Sequence, residues 1–127
     1  MNNRLIAIIA TAGTLAACIV VNAYLACPDV MVTIYNNTNV SLKGLVVTYD
    51  NAHKGKDVGT LGKYKNCNVN IDLPGDFSEG EISLHYHDKK NQEHAHILVP
   101  YFEKGQNQKI KVHIRKITKD KKLEIEV

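Results

Sequence analysis

Two hydrophobic patterns divide the chain at Pro28. Positions 5–27 are 23 residues without a charge, and Arg4 precedes them. A helix of that length crosses the ~30 Å hydrocarbon core of a bilayer at about 1.5 Å rise per residue. Because the nearby positive charge lies on the N-terminal side, we expect the start of the chain to stay in the cytoplasm and the rest to be exported.

After Pro28 the apolar positions recur with a period of two, which predicts β-strands. Val30, Val32 and Ile34, for example, alternate with residues that face the other way. Clusters of turn-forming residues separate the strands, and 50–57 is expected to be an exposed loop. The predicted strands are 30–35, 41–49, 58–61, 64–73, 81–88, 94–102, 108–117 and 122–127.

This pattern predicts an all-β domain over 28–127, preceded by a hydrophobic helix over 1–27. Seven to eight short strands with turns between them are typical of a single immunoglobulin-like antiparallel β-sandwich. A small barrel is the alternative. About 100 residues suit one domain with one core.

The N-terminal segment has three export interpretations. It is an uncleaved signal anchor, a secretory signal cleaved after Ala23, or a lipoprotein signal in which Leu15–Cys18 is the lipobox and Cys18 is lipidated. A second lipobox match ends at Cys27. A buried helix of a cytoplasmic protein is disfavoured, because core helices normally keep a polar face. We expect a protein held at the extracytoplasmic face of the cell membrane through this segment, or secreted if the segment is cleaved.

Basic residues cluster near the C-terminus of a chain whose net charge is +3. A basic strip on an exported domain favours anionic headgroups or cell-wall polyanions. Lysines also protect edge strands from pairing, and the intervening acids Asp120, Glu124 and Glu126 favour this second interpretation. Export argues against nucleic acid as a partner. The basic residues are Lys109, Lys111, Arg115, Lys116, Lys119, Lys121 and Lys122.

Of the three cysteines, Cys27 and Cys67 are expected outside the membrane, where a disulfide can form. That bond would close a loop of about forty residues and stabilise the fold by about 3–4 kcal/mol. The alternative is that Cys27 is a boundary residue and Cys67 a small buried apolar side chain. No Cys-x-x-Cys pair occurs, which argues against a redox motif or a thiolate zinc site.

Five of six histidines lie in three consecutive predicted strands, and the hairpin registers decide which of them meet. Matching the apolar faces sets Leu84 opposite Ile97 and therefore His85 opposite His96. The same logic in the next hairpin places His96 opposite His113. This row, with the two other histidines beside it, predicts a Zn²⁺, Cu²⁺ or Ni²⁺ site. The five histidines are His85, His87, His94, His96 and His113.

Two other interpretations of the histidines compete with a metal site. The row is expected to face solvent beside Lys111 and Arg115, whose positive charges disfavour a bound cation. The histidines are then explained as part of a polar outer face that needs no cofactor. Clustered imidazoles could also respond to pH. No catalytic motif occurs: Ser41, Ser78 and Ser83 are outside any Gly-x-Ser-x-Gly elbow, and we expect no enzymatic activity.

Two turn-and-strand stretches, Asp76–Gly80 leading into the 81–88 strand and Tyr101–Gly105, resemble small exported or membrane-anchored β-sandwich proteins of Gram-positive bacteria. The resemblance implies location and fold, and it implies no functional residues. Two functions follow from the residues. The first is an extracytoplasmic, membrane-anchored, non-enzymatic binding module for a protein or a cell-wall polymer, and the second is a transition-metal-binding protein that uses the histidine face.

Overall fold

The computed structural model describes residues 28–49 and 54–127. The predicted N-terminal helix lies outside these residues. Among the residues described, no helix has the length and hydropathy that crossing a membrane requires. The described strands are β1 (Val30–Asn36), β2 (Val46–Tyr49), β3 (Lys54–Asp57), β4 (Asn66–Ile71), β5 (Glu79–His87), β6 (Glu93–Glu103), β7 (Gln108–Ile117) and β8 (Leu123–Glu126).

The eight strands form two four-stranded sheets, which confirms the prediction of an all-β sandwich. The first sheet has the order β4-β1-β7-β8 and the second has the order β3-β2-β5-β6. The prediction of purely antiparallel pairing is wrong for one pair, because β1 and β7 are parallel. These two strands are distant in sequence, so no turn between them fixes their relative direction.

The period-two pattern directs one face of each strand into the core between the sheets. In β1, Val30, Val32 and Ile34 are fully buried, and the residues between them are half-buried. In β4, Val69 and Ile71 are buried, while the alternating asparagines Asn66, Asn68 and Asn70 are exposed. Burying each such aliphatic side chain stabilises the fold by about 1.5–3 kcal/mol.

Two strand predictions in the 41–61 region are wrong in their bounds. The strand expected over 41–49 is confined to β2, and Leu42 makes an isolated bridge to Leu61 in place of a strand at 58–61. Instead, β3 forms within the expected loop. Gly55 allows this pairing, since a Cβ there would come within 2.8 Å of Val46 Cγ1.

The register of β5 with β6 also differs from the prediction. Leu84 lies opposite His96 rather than Ile97, and His85 lies opposite Ala95. The difference extends from the turn to Ser83, and the two register shifts lie beyond it, between Gly80 and Ser83, where Ile82 pairs with Val99 as the predicted register requires. As a result of the difference, Ile97 is outside and 51% exposed, whereas Leu98 is buried. Apolar residues occur at both parities in β6, so the period-two pattern could not choose between the registers.

Candidate functional site

The predicted histidine row His85–His96–His113 does not form. Strands β6 and β7 lie in different sheets, so His96 and His113 cannot be opposed. His113 lies opposite Tyr35 in the first sheet, and their rings stack with centroids 4.7 Å apart. In the β5–β6 hairpin the register differs from the predicted one by one residue, so His85 and His96 are not opposed either.

His85 and His87 lie on the outer face of the second sheet. The Nδ1 atom of His85 is 2.8 Å from the Glu93 carboxylate, and this hydrogen bond holds the Glu93 pKa below its usual value. Together with Val46 and Thr48, these three residues line a shallow depression of about 140 Å³.

His94 belongs to a network at the end of the same hairpin. Its Nε2 atom lies 2.8 Å from Asp88 Oδ2, and its ring stacks on Tyr86. The Asp88 carboxylate also accepts hydrogen bonds from the backbone N–H groups of Lys90 and Gln92. The His94 hydrogen bond, followed by the one from Gln92, holds the pKa of Asp88 below its usual value. These contacts order the hairpin turn.

The geometry required by the metal hypothesis is therefore missing. Within residues 28–49 and 54–127, no group of three His, Cys, Asp or Glu side chains is arranged to hold a metal ion. The histidines instead occupy separate places: the outer face of the second sheet, the β5–β6 hairpin end with half-buried His96 beside it, and the first sheet.

Two covalent modifications predicted from the sequence involve residues outside the described ranges. These are the lipidation of Cys18 and the bond between Cys27 and Cys67. Cys67 itself lies in β4, half-buried and opposite Ile34, and burial raises the pKa of its thiol.

The basic residues of β7 do not lie on an edge strand. This strand is hydrogen-bonded to β1 on one side and to β8 on the other, so the edge-protection interpretation is wrong for Lys109, Lys111 and Arg115. Lys109 and Lys111 lie opposite Met31 and Thr33 of β1. They are exposed on the outer face of the first sheet, which also carries the exposed asparagines of β4, Asn66, Asn68 and Asn70.

Two loops meet the C-terminal end of β1 and are joined there by Asn36. Its buried side chain donates from Nδ2 to the carbonyl oxygens of Val40 and Gly62, at 2.8 and 3.1 Å. Its Oδ1 atom accepts hydrogen bonds from the backbone N–H and the hydroxyl of Thr38. Because one amide contacts both loops, the segment 37–40 is fixed relative to the turn at Tyr64.

The resulting depression, of about 240 Å³, is named the Tyr64 surface. Tyr64 is 70% exposed and has a positive φ of 55°. Arg115 lies on the β7 side, where its Nε donates to Glu126 Oε2 at 2.9 Å. The lining residues are Asn37, Thr38, Asn39, Tyr64, Arg115, Lys116 and Ile117.

Sequence reasoning missed both Asn36 and Tyr64. In the sequence Asn36 stands among other turn-forming asparagines, and only its burial distinguishes it from Asn37. The alternation predicts that Tyr64 begins a strand. The preceding Gly62-Lys63 pair indicates a turn. A tyrosine, however, does not predict the left-handed backbone conformation that Tyr64 adopts.

Comparisons with known proteins support the fold alone. No family model matches the chain, and no curated protein matches it. A structure titled "NMR structure of the protein from Eubacterium rectale" is similar, with a TM-score of 0.50 and 15% sequence identity. The similarity covers 77% of this chain and 86% of that protein. This likeness supports the two-sheet β architecture of the described residues.

Proposed function

We propose that this chain is a membrane-anchored, extracytoplasmic binding domain with no enzymatic activity. The observation that carries the proposal is the position of the β7 basic residues in the middle of a sheet. Edge protection does not explain them there, and the two solvent-facing lysines, Lys109 and Lys111, form a surface that attracts anionic partners.

The sequence before the domain supports anchoring. The uncharged segment ends at position 27, and β1 begins at Val30. Such a short connection keeps the domain close to the membrane if the segment remains attached. The lipobox-like Leu15–Cys18 provides a second means of attachment at the same face.

A metal-binding function has no comparable support, because its predicted ligands are distributed over two sheets. For the fold, we further propose an immunoglobulin-like class. It is supported by two four-stranded sheets and by chain crossings between them after β1, β3, β4 and β6.

Anchoring is tested by expressing the full chain with a C-terminal tag in a Gram-positive host. We expect the tag in the membrane fraction and open to protease added to intact cells. The matched variant carries Ile9→Arg and Val20→Arg, which interrupt the apolar segment. A charge at the centre of a membrane helix costs about 2.5–3.5 kcal/mol, and one nearer the ends costs less. We expect the variant to leave the membrane fraction. A protease-protected tag on the wild-type protein would contradict the proposal.

Intact mass of the purified protein separates the three forms of the N-terminus. A retained anchor gives the full mass, lipidation at Cys18 gives a shorter chain plus acyl groups, and cleavage after Ala23 gives a shorter chain alone. The last outcome contradicts anchoring.

Binding is tested by cross-linking on intact cells. We expect partners to be captured by the wild-type protein and captured less by Lys109→Gln/Lys111→Gln. The control is Lys89→Gln, which removes a lysine from the turn that joins β5 to β6. Equal losses in both variants would contradict a role for the β7 face.

A further inference from the structure

We propose that the Tyr64 surface binds an anionic glycan, meaning a sugar chain that carries carboxylate or phosphate groups. This inference rests on the proposed binding function and adds a second surface, at the opposite end of β7 from Lys109 and Lys111, with a ligand of stated chemistry. It is carried by a strained, exposed aromatic residue within a cluster of amides and cations.

Tyr64 has a backbone conformation that its side chain does not favour. It is the third residue of the turn Gly62–Lys65, which is closed by a hydrogen bond from Lys65 N–H to Gly62 C=O. Its φ of 55° is one at which Gly or Asn is preferred. Since the ring is 70% exposed, core packing does not explain the tyrosine. Strain retained at an exposed residue is typical of a functional position.

The groups around the ring suit a sugar. An exposed aromatic face offers apolar contact to the C–H groups of a sugar ring. The side-chain amides of Asn37 and Asn39 each combine a donor and an acceptor, as sugar hydroxyls also do. The Nδ2 atom of Asn37 lies 3.3 Å from His113 Nδ1, which orients this amide.

The charge around the surface favours an acidic ligand. Arg115 and Lys116 line it, and Lys63 and Lys65 flank Tyr64. Glu126 bonds Arg115 and Glu124 lies opposite Lys116, so two of these four cations are partly compensated. Guanidinium and ammonium groups form strong hydrogen bonds to carboxylate and phosphate oxygens.

The position of the surface favours a glycan over membrane lipids. The chain enters the domain at Pro28, and β1 runs away from that point to Asn36. Seven strand residues span about 20 Å. The Tyr64 surface is therefore at the opposite end of β1 from Pro28. A headgroup site is expected near Pro28, which is the end of the sheet where Lys109 and Lys111 lie.

The test uses the full chain in phosphatidylcholine nanodiscs and measures affinity by calorimetry. The probes are oligogalacturonate as an anionic glycan, dextran oligomers as a neutral glycan, polyglutamate as an anionic polymer without sugars, and phosphatidylglycerol vesicles. We expect oligogalacturonate to bind at least about tenfold more tightly than any other probe.

Variants locate the site. We expect Tyr64→Gly to weaken oligogalacturonate binding about tenfold while leaving the fold intact, because glycine accepts the positive φ. Tyr64→Phe keeps the ring and should bind within about threefold of wild type. Arg115→Gln should weaken binding about fivefold. The matched control is Tyr101→Ala, which removes another exposed tyrosine from the second sheet and should change nothing.

Each contrary result overturns a stated part of the inference. Equal binding of dextran contradicts charge recognition, equal binding of polyglutamate contradicts a sugar ligand, and tighter binding of the vesicles points to a membrane ligand. Unchanged affinity in Tyr64→Gly overturns the site.

The outcome is separable from that of the proposed function. If no probe binds but cross-linking on cells captures a partner through the β7 face, the glycan inference fails and the binding function stands. If oligogalacturonate binds at Tyr64 but the protein is protected inside cells, the inference is supported and extracytoplasmic anchoring fails.

Discussion

At the scale of single residues, hydrogen bonding and backbone conformation distinguish residues of the same type. Asn36 and Asn37 are adjacent asparagines, yet one is buried and joins two loops while the other is exposed. Tyr64 and Tyr101 are both exposed tyrosines, yet only Tyr64 has a positive φ.

Asn36→Ala is expected to lower the free energy of unfolding by about 2–3 kcal/mol, because buried loop carbonyls lose their donor. Urea denaturation measures the change. Asn37→Ala is the control and should stay within about 0.5 kcal/mol of wild type, as for other exposed sites. Equal effects of the two substitutions would contradict the bridging role of Asn36.

Tyr64→Gly is expected to raise the free energy of unfolding by about 0.5–1 kcal/mol. Relief of a left-handed backbone outweighs the greater chain entropy that glycine brings to the unfolded state. The same substitution at Tyr101, within β6, should destabilise the protein. A loss of stability in Tyr64→Gly would show that the ring packs in a way that its exposure does not indicate.

Asp88 makes stability depend on pH in the acid range. Its pKa is lower in the folded than in the unfolded state, chiefly through the His94 hydrogen bond. The folded state is therefore favoured above the unfolded pKa of about 3.9, and this contribution is lost as the pH falls through the folded value. We expect Asp88→Asn to be less stable at pH 7 and to lose less stability between pH 5 and pH 2.

Urea unfolding at a series of pH values tests the Asp88 prediction. Asp76→Asn is the control, an exposed turn position whose profile should follow the wild type. Parallel profiles for Asp88→Asn and the wild type would exclude Asp88 as the source of the pH dependence.

At the scale of elements, the sequence predicted the presence of most strands but not how they pair. Alternation in β1 and β4 identified the buried faces correctly, because the more apolar face of each strand is the one that is buried. The predicted β5–β6 register was wrong next to the turn, because β6 has apolar residues at both parities and alternation alone cannot choose between its two faces.

Alanine substitutions at neighbouring positions test this register. Leu98→Ala should cost about 2–4 kcal/mol because its side chain is buried, whereas Ile97→Ala should cost less than about 1 kcal/mol. Thermal or urea unfolding measures both. The reverse order would restore the register in which Leu84 opposes Ile97.

At the scale of the whole molecule, strand positions limit which distant residues can be joined. The Asp29 carboxylate accepts a hydrogen bond from Leu73 N–H, and Cys67 lies opposite Ile34, further along β1. Asp29 and Ile34 are five residues apart along the extended chain, which corresponds to roughly 17 Å. A disulfide requires Cα atoms within about 7 Å.

We therefore predict that Cys67 remains a thiol, contrary to the sequence-based expectation of a bond to Cys27. Two residues of chain reach only about 7 Å from Asp29, too little to bring Cys27 beside Cys67. Alkylation of the exported protein under denaturing, non-reducing conditions should label Cys67. A cross-linked peptide containing Cys27 and Cys67 would contradict the strand positions.

The sequence alone determined the local features of this protein. The period-two pattern after Pro28 depends on the side chains of each segment, so an all-β sandwich could be predicted without tertiary contacts. The uncharged stretch before Pro28 is a local feature of the same kind, and export stays a prediction from it. The tertiary structure decided the parallel pairing of β1 with β7, the separation of His96 from His113 and the meeting of Asn36 with the Tyr64 turn. Such contacts join residues far apart in the chain, and their geometry depends on how whole strands pack.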